Sequence, residues 1–447
     1  PFSSLKAWKN LPFPQRASKT ELNNMEQPSL IEFIATVIFG VALIHTFAAS
    51  QFQHLAHTHP RHSGLFHLLG EVEVVFGVWA AILILVMAFV SRPEQAIAYL
   101  DSRNYAEPLL VFVLMVMAAS RPLVEAARAI NNSLARLLPL QPLTARFVVT
   151  MSFIPLMGSF ITEPAAMTLA ALLMRDQFLR HDLPERFKYA IIGVLFVNVS
   201  IGGTLTPFAA PPVLMVAAKW DWDIAFMITQ IGWRALIAVI FNAIALTIIG
   251  RKALDAMPST NESSENDPQK IPLSVTLIHA SFLAAAVTFH HHPVVFMGLF
   301  LFFLGYTAAY PHYQSRLLLR EALLVAFFLA GLVVLGGKQA WWLQELLAGM
   351  SPTVLYFSAT ALTAITDNAA ITYLGSLVDG TDAAFKYALV TGAVTGGGLT
   401  VIANAPNPAG YALLKDCFAE KSISALGLFS AALLPTLVAV AVFWLIP

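Results

Sequence analysis

Two acidic residues lie where the surrounding sequence makes an acid costly. Glu163 sits in Ile161-Thr162-Glu163-Pro164-Ala165-Ala166, inside a run otherwise apolar from Phe147 to Met174. Asp367 sits in a second copy of that pattern, Ile365-Thr366-Asp367-Asn368-Ala369-Ala370. A carboxylate in the middle of a membrane segment faces a cavity or a partner and is functional by default. The oxygens offered around the pair are all hard: hydroxyls of Thr162, Thr366, Thr206 and Thr400, and the carboxamides of Asn368 and Asn404. Two carboxylates among hard oxygens suit a small cation such as Na⁺ or Li⁺, or a proton. Neither stretch carries Arg or Lys, so a bound anion is not expected there.

The residues beside the acids break helices. Pro164 removes a backbone donor and restricts Glu163, and Asn368 at the matching place can cap or turn the chain. Each stretch is followed by the same signal, Phe187-Lys188-Tyr189-Ala190 and Phe385-Lys386-Tyr387-Ala388. Each then reaches a glycine break, at Gly202-Gly203 before Thr206 and at Gly396-Gly397-Gly398 before Thr400. Earlier echoes run in the same order: Leu43-Ile44-His45 with Leu277-Ile278-His279, Val74-Val75-Phe76 with Val294-Val295-Phe296, and Glu107 with Glu321. The chain therefore reads as two copies of one unit. Irregular backbone at membrane depth survives only where protein or a water-filled cavity satisfies it, so four broken elements should converge on one point.

Composition says what surrounds that point. The 447 residues are 57% hydrophobic and only 12% charged, against about 25% charged in a soluble domain. Apolar runs of about 20 residues recur. The fold class expected is an all-α polytopic membrane protein whose main partner is the lipid bilayer. Net charge is zero, which gives no reason to expect a nucleic-acid partner. The single Cys417 excludes an internal disulfide framework and a multi-cysteine metal site.

In order, residues 1–28 read as a polar tail, 29–250 as the first transmembrane repeat, 251–270 as a linker rich in Pro, Ser and Asn, and 271–447 as the second repeat. If each carboxylate segment enters and returns on one side as a re-entrant hairpin, each repeat has five spans. An odd number inverts the second repeat relative to the first. The loops at 121–146 and 175–188 then share a side holding most of the Lys and Arg, which should be cytoplasmic. The N-terminus would lie outside, as a cleaved signal peptide before Pro1 would require, in a bacterial inner membrane or an organelle membrane. Six full crossings per repeat, giving parallel repeats, is the competing topology.

This layout resembles the ion transporter superfamily, which includes sodium–proton antiporters, arsenite-efflux pumps and the citrate and dicarboxylate carriers. Within it the chain is most similar to the putative sodium–proton antiporter group. The residues that carry the likeness are Ile161–Ala166, Gly202–Pro212, Ile365–Ala370 and Gly396–Pro408. The resemblance implies a homodimer, with a scaffold domain and a transport domain holding two hairpins and two broken helices. The dicarboxylate carriers place Ser-Asn-Thr at the hairpin tips. Glu163 and Asp367 depart from that and favour cation–proton exchange over an organic acid or arsenite.

The expected activity is thus secondary transport, not catalysis and with no cofactor: Na⁺ or Li⁺ at Asp367, Asn368 and Glu163, competing with protons. Asp367 and Asn368 are expected to form the tighter part, with Glu163 more often the proton carrier. Glu71 and Glu73 near the start of a span could relay protons or lie at the interface. The histidines from His54 to His67, and His290 to His292, read as solvated connectors. An intramembrane metal-dependent hydrolase would use them, but no His-Glu-x-x-His spacing is present.

Overall fold

An apolar run in lipid can satisfy its backbone only by coiling on itself, and the chain does so throughout. The computed structural model describes residues 29–58, 60–257 and 270–446, and among these there is no strand. The tail at 1–28 and most of the linker lie outside the described residues.

Helices α1 (Leu30–Thr58), α2 (Ser63–Leu69), α3 (Val72–Val90), α4 (Pro93–Asp101), α5 (Ala106–Ala118) and α6 (Arg121–Leu137) lead to the first acidic tip. That tip joins α7 (Pro142–Ile161) to α8 (Glu163–Met174). The first glycine break joins α9 (Glu185–Gly202) to α10 (Pro211–Ala217), and α11 (Ile224–Asp255) closes the first half. The second half runs through α12 (Leu273–Thr288), α13 (Pro293–Ala309), α14 (Leu319–Gly336) and α15 (Ala340–Ala348). Its tip joins α16 (Pro352–Thr363) to α17 (Asn368–Ser376), and its break joins α18 (Ala383–Gly396) to α19 (Asn407–Leu414) before α20 (Ala425–Val440).

Among the described residues five helices are long and apolar enough to cross a membrane: α7, Glu185–Leu205, α11, α14 and Ala425–Leu445. The pair α5 and α6, bent by 67°, would make a sixth if it is one span. Outward-facing side chains match that reading. Phe89, Val294, Leu426 and Phe302 are 88%, 88%, 74% and 72% exposed, a surface that lipid covers and water does not. The protein is an integral, multi-pass membrane protein.

Packing sets the tips in place. Phe76 on α3 meets Phe328 on α14 edge to face at 5.1 Å. The chain folds back at the first tip. A Cβ on Gly158 would lie 3.2 Å from the Cβ of Ala166, whereas residues eight apart on a straight helix are about 12 Å apart. Helix α9 packs on α20, and α16 packs on α18. The post-break helices are exchanged between the halves: α10 packs on α17, and α19 packs on α8.

Candidate functional site

The first tip is strained. Thr162 has φ 75° and ψ 150°, a region that is essentially glycine's, and a β-branched residue there costs about 1–3 kcal/mol. Its hydroxyl, buried, has no hydrogen-bond partner. The turn delivers Glu163 to the first position of α8 with its side chain fully buried. Glu163 Oε2 accepts from Asn404 Nδ2 at 2.9 Å, and Oε1 has no partner. Room for that carboxylate is made by Gly203: a Cβ there would sit 2.4 Å from Oε1. The glycine break and the acid of the first half are therefore one feature.

The second tip is built differently. Asp367 caps α17, its Oδ1 accepting from the backbone N–H of Ala369 at 2.8 Å and of Ala370 at 3.2 Å. This is the ordinary work of an N-terminal carboxylate. Asp367 is partly exposed and lines a cavity of about 30 Å³ with Asn404, Val401, Phe328 and others. That is the room of about one water. Asn368 is fully buried, and neither its Oδ1 nor its Nδ2 has a partner. It lies against the second break, where a Cβ on Gly397 would fall 2.8 Å from its Nδ2 and 2.2 Å from Ser200 Oγ.

The breaks are stitched rather than loose. Ser159 Oγ donates to Gly202 O at 2.7 Å and accepts from Leu205 N–H at 2.9 Å, and Thr206 donates to Ser159 O. In the second half Asn407 Nδ2 donates to Gly397 O at 2.7 Å and Thr400 O at 2.8 Å. Thr400 donates to Ala364 O at 2.8 Å and Thr366 to Leu362 O at 2.8 Å. So Thr206, Thr366 and Thr400 hold backbone, each with oxygen lone pairs to spare. The two broken helices cross in near backbone contact: a Cβ on Gly398 would lie 2.4 Å from Val197 Cα. Gly202 and Gly396 end the first arms, aiming their carbonyl-rich ends into the same region.

Glu163, Asn404 and the Asp367 cavity are thus brought together, although Asn404 and Glu163 are 241 residues apart in sequence. Asn368 joins them through Gly397. Glu71 is drawn elsewhere and pairs with Arg320 at the start of α14. The side chains of Glu73, His54, His57 and His67, and His59 as a whole, lie outside the described residues. His290 and His291 line a cavity far larger than the site's. Lys188 donates to Cys417 O at 2.9 Å and Lys386 lies over Trp220, so both are engaged away from the tips. Ser159, Ser200 and Asn407 are the residues that motif reading missed. Their one signal is a polar side chain inside an apolar segment, which is also what ordinary helix packing uses.

The geometry can do one kind of chemistry. Glu163 Oε1, Asn404 Oδ1, Asn368 Oδ1 and Asn407 Oδ1 are buried oxygens without a donor. Buried polar atoms are nearly always satisfied, so each needs a reason. All four are hard oxygens of the type that small hard cations take as ligands, and the carboxyl can instead carry a proton. Among the described residues no three of His, Cys, Asp and Glu gather as a divalent-metal cage would need. A larger cavity of about 890 Å³ opens at Pro207 and Phe208, just past Thr206, and is lined by Glu107, Asp221 and Asp223 with no Lys or Arg. That lining favours cations over anions.

No protein with a curated description matches the chain. The family model described as "Putative Na+/H+ antiporter" matches residues 30–446, which takes in both tips and both breaks.

Proposed function

We propose, from the premise that this chain belongs to the putative Na⁺/H⁺ antiporter family, that it exchanges Na⁺ or Li⁺ for H⁺ at Glu163 and Asp367. One observation carries the site assignment. Glu163 is fully buried, one carboxylate oxygen is held by Asn404, and the other faces no donor. An ionised carboxylate left that way in a protein interior is expensive, so it holds a proton or shares a cation. Asn404 also lines the small cavity of Asp367, which links the proton-carrying and cation-binding carboxylates through one amide.

Two features support the re-entrant, inverted arrangement. The second arms are short: α8 has 12 residues, continued by a five-residue π-helical turn at Arg175–Leu179, and α17 has nine, about 25 and 14 Å of helix against about 30 Å of hydrocarbon. The reciprocal packing of α10 on α17 and α19 on α8 is what a two-fold relation between the halves produces. On this reading residues 29–250 and 271–447 are the repeats. The cation takes oxygens from Asp367, Asn368 and Asn404, while Glu163 more often takes the proton. Protons and cations exclude one another at the carboxylates, and that competition is sufficient for coupling.

Everted vesicles holding an acid interior and a pH dye test this. Added Na⁺ or Li⁺ should dissipate the gradient, and apparent cation affinity should rise with pH. The sign follows from competition: raising pH removes the proton that occupies the carboxylates. Affinity independent of pH across the active range would rule out a shared site. Dissipation by an organic acid or arsenite, but not by Na⁺ or Li⁺, would replace exchange by carriage of that solute.

A further inference from the structure

We infer that α6 is an interfacial arm that binds the headgroups of anionic lipids. The helix leaves the line of α5 at 67°, with Ser120 at its N-cap and Pro122 in its first turn. Its buried residues Leu123, Ala127, Asn131 and Ala135 recur every fourth position and press it onto α7. Asn131 Nδ2 donates to Thr150 Oγ1 at 3.2 Å in that interface. Beside the buried stripe Ile130 and Leu137, two turns apart, are 45% and 78% exposed. Arg136 is exposed, while Arg121, which donates to His312 O at 3.4 Å, and Arg128 are half-buried at the edge of the stripe, against the one acid Glu125.

An exposed apolar edge beside an arginine face is the pattern of a helix lying in the headgroup plane. The occupant follows from charge. Arg128 reaches Glu125 at only 3.7 Å, an exposed i,i+3 pair of the kind that contributes little. The helix therefore keeps a net charge of two, three arginines against Glu125, with Arg128 and Arg136 the arginines not tied to the protein's backbone, and anionic headgroups complement it. The connector in the corresponding place of the second half, α15, has the sequence AWWLQELLA, with Trp341, Trp342 and Glu345 and no Lys or Arg. Tryptophan suits an uncharged interface. The two arms are thus made for leaflets of different charge, and α6 takes the anionic one. Because α6 holds α7, which ends at Ile161 just before Thr162, bound lipid also steadies the first tip; that consequence alone rests on the exchange reading above.

Native mass spectrometry of the purified full chain, loaded with phosphatidylglycerol or phosphatidylcholine, tests the binding apart from transport. Phosphatidylglycerol should be retained preferentially. The pair Arg128→Gln and Arg136→Gln should cut that preference about tenfold, while Arg128→Lys and Arg136→Lys should keep most of it. Equal retention by both pairs, or displacement of the lipid by millimolar inorganic phosphate, would overturn the inference. In proteoliposomes the Gln pair should also lose the acceleration of exchange by phosphatidylglycerol. If retention falls in the Gln pair but no Na⁺-driven exchange occurs in any liposome, the lipid site stands and the exchange reading fails.

Discussion

The side chain that decides most is Glu163, because its two oxygens have different fates. One is tied to Asn404 at 2.9 Å and the other faces no donor. Asp367, by contrast, spends one oxygen on the amides of Ala369 and Ala370. Glu163→Gln should therefore stop exchange yet leave measurable Na⁺ binding with little pH dependence, while Asp367→Asn should abolish binding even at high pH. Isothermal titration of the purified variants measures both, and equal loss would make the carboxylates one symmetric site. Gly203→Ala is the sharper test of geometry. Its added Cβ would fall 2.4 Å from Glu163 Oε1, so the carboxylate must move, and exchange should drop by at least tenfold with the fold retained by circular dichroism. Wild-type exchange in that variant would mean that the close fit of Oε1 against Gly203 is unimportant to function. The acids and the glycine breaks were legible in sequence, because charge and glycine stand out in an apolar run. The pairing of Asn404 with Glu163 was not, since only the packing of α19 on α8 brings residues 241 apart into contact.

At the scale of the helix, the tips are positioned by strain on one side and by a cap on the other. Thr162 holds φ 75° without any hydrogen bond to its hydroxyl. Thr162→Gly should relieve that strain and raise thermal stability in detergent, by about 1 kcal/mol once the entropy of the added glycine is offset. The same change should slow exchange by loosening the turn that aims Glu163. A lower melting temperature would show that the threonine stabilises its turn after all. Helix limits near the breaks were readable from Pro164, Gly202 and Gly396. The stitches made by Ser159 and Asn407 were not, because a serine or asparagine in an apolar helix looks the same whether it ties a break or packs a neighbour. The excess of Lys and Arg on the side of residues 121–146 was legible in sequence, whereas the helix α6 and its 67° angle needed the fold.

For the whole molecule we propose that the arginine-rich side is cytoplasmic. Cysteines placed by Arg136→Cys and Arg180→Cys in a Cys417→Ser background should both react with an impermeant maleimide from the cytoplasmic face. Labelling from opposite faces would remove the hairpin and the inverted repeat together. The proposed repeat plan rests on echoes in order, because duplicated sequence keeps its landmarks longer than its details. The exchange of α10 and α19 between halves carries a consequence for how such a protein can be assembled or divided. Each half cradles the other's acidic tip with a helix of its own, so a half expressed alone has an uncovered tip and nothing for its last short helix to grip. Cut between residues 257 and 270, the two pieces made together should find each other in the membrane and restore activity, while either piece made singly is left to the cell's proteases.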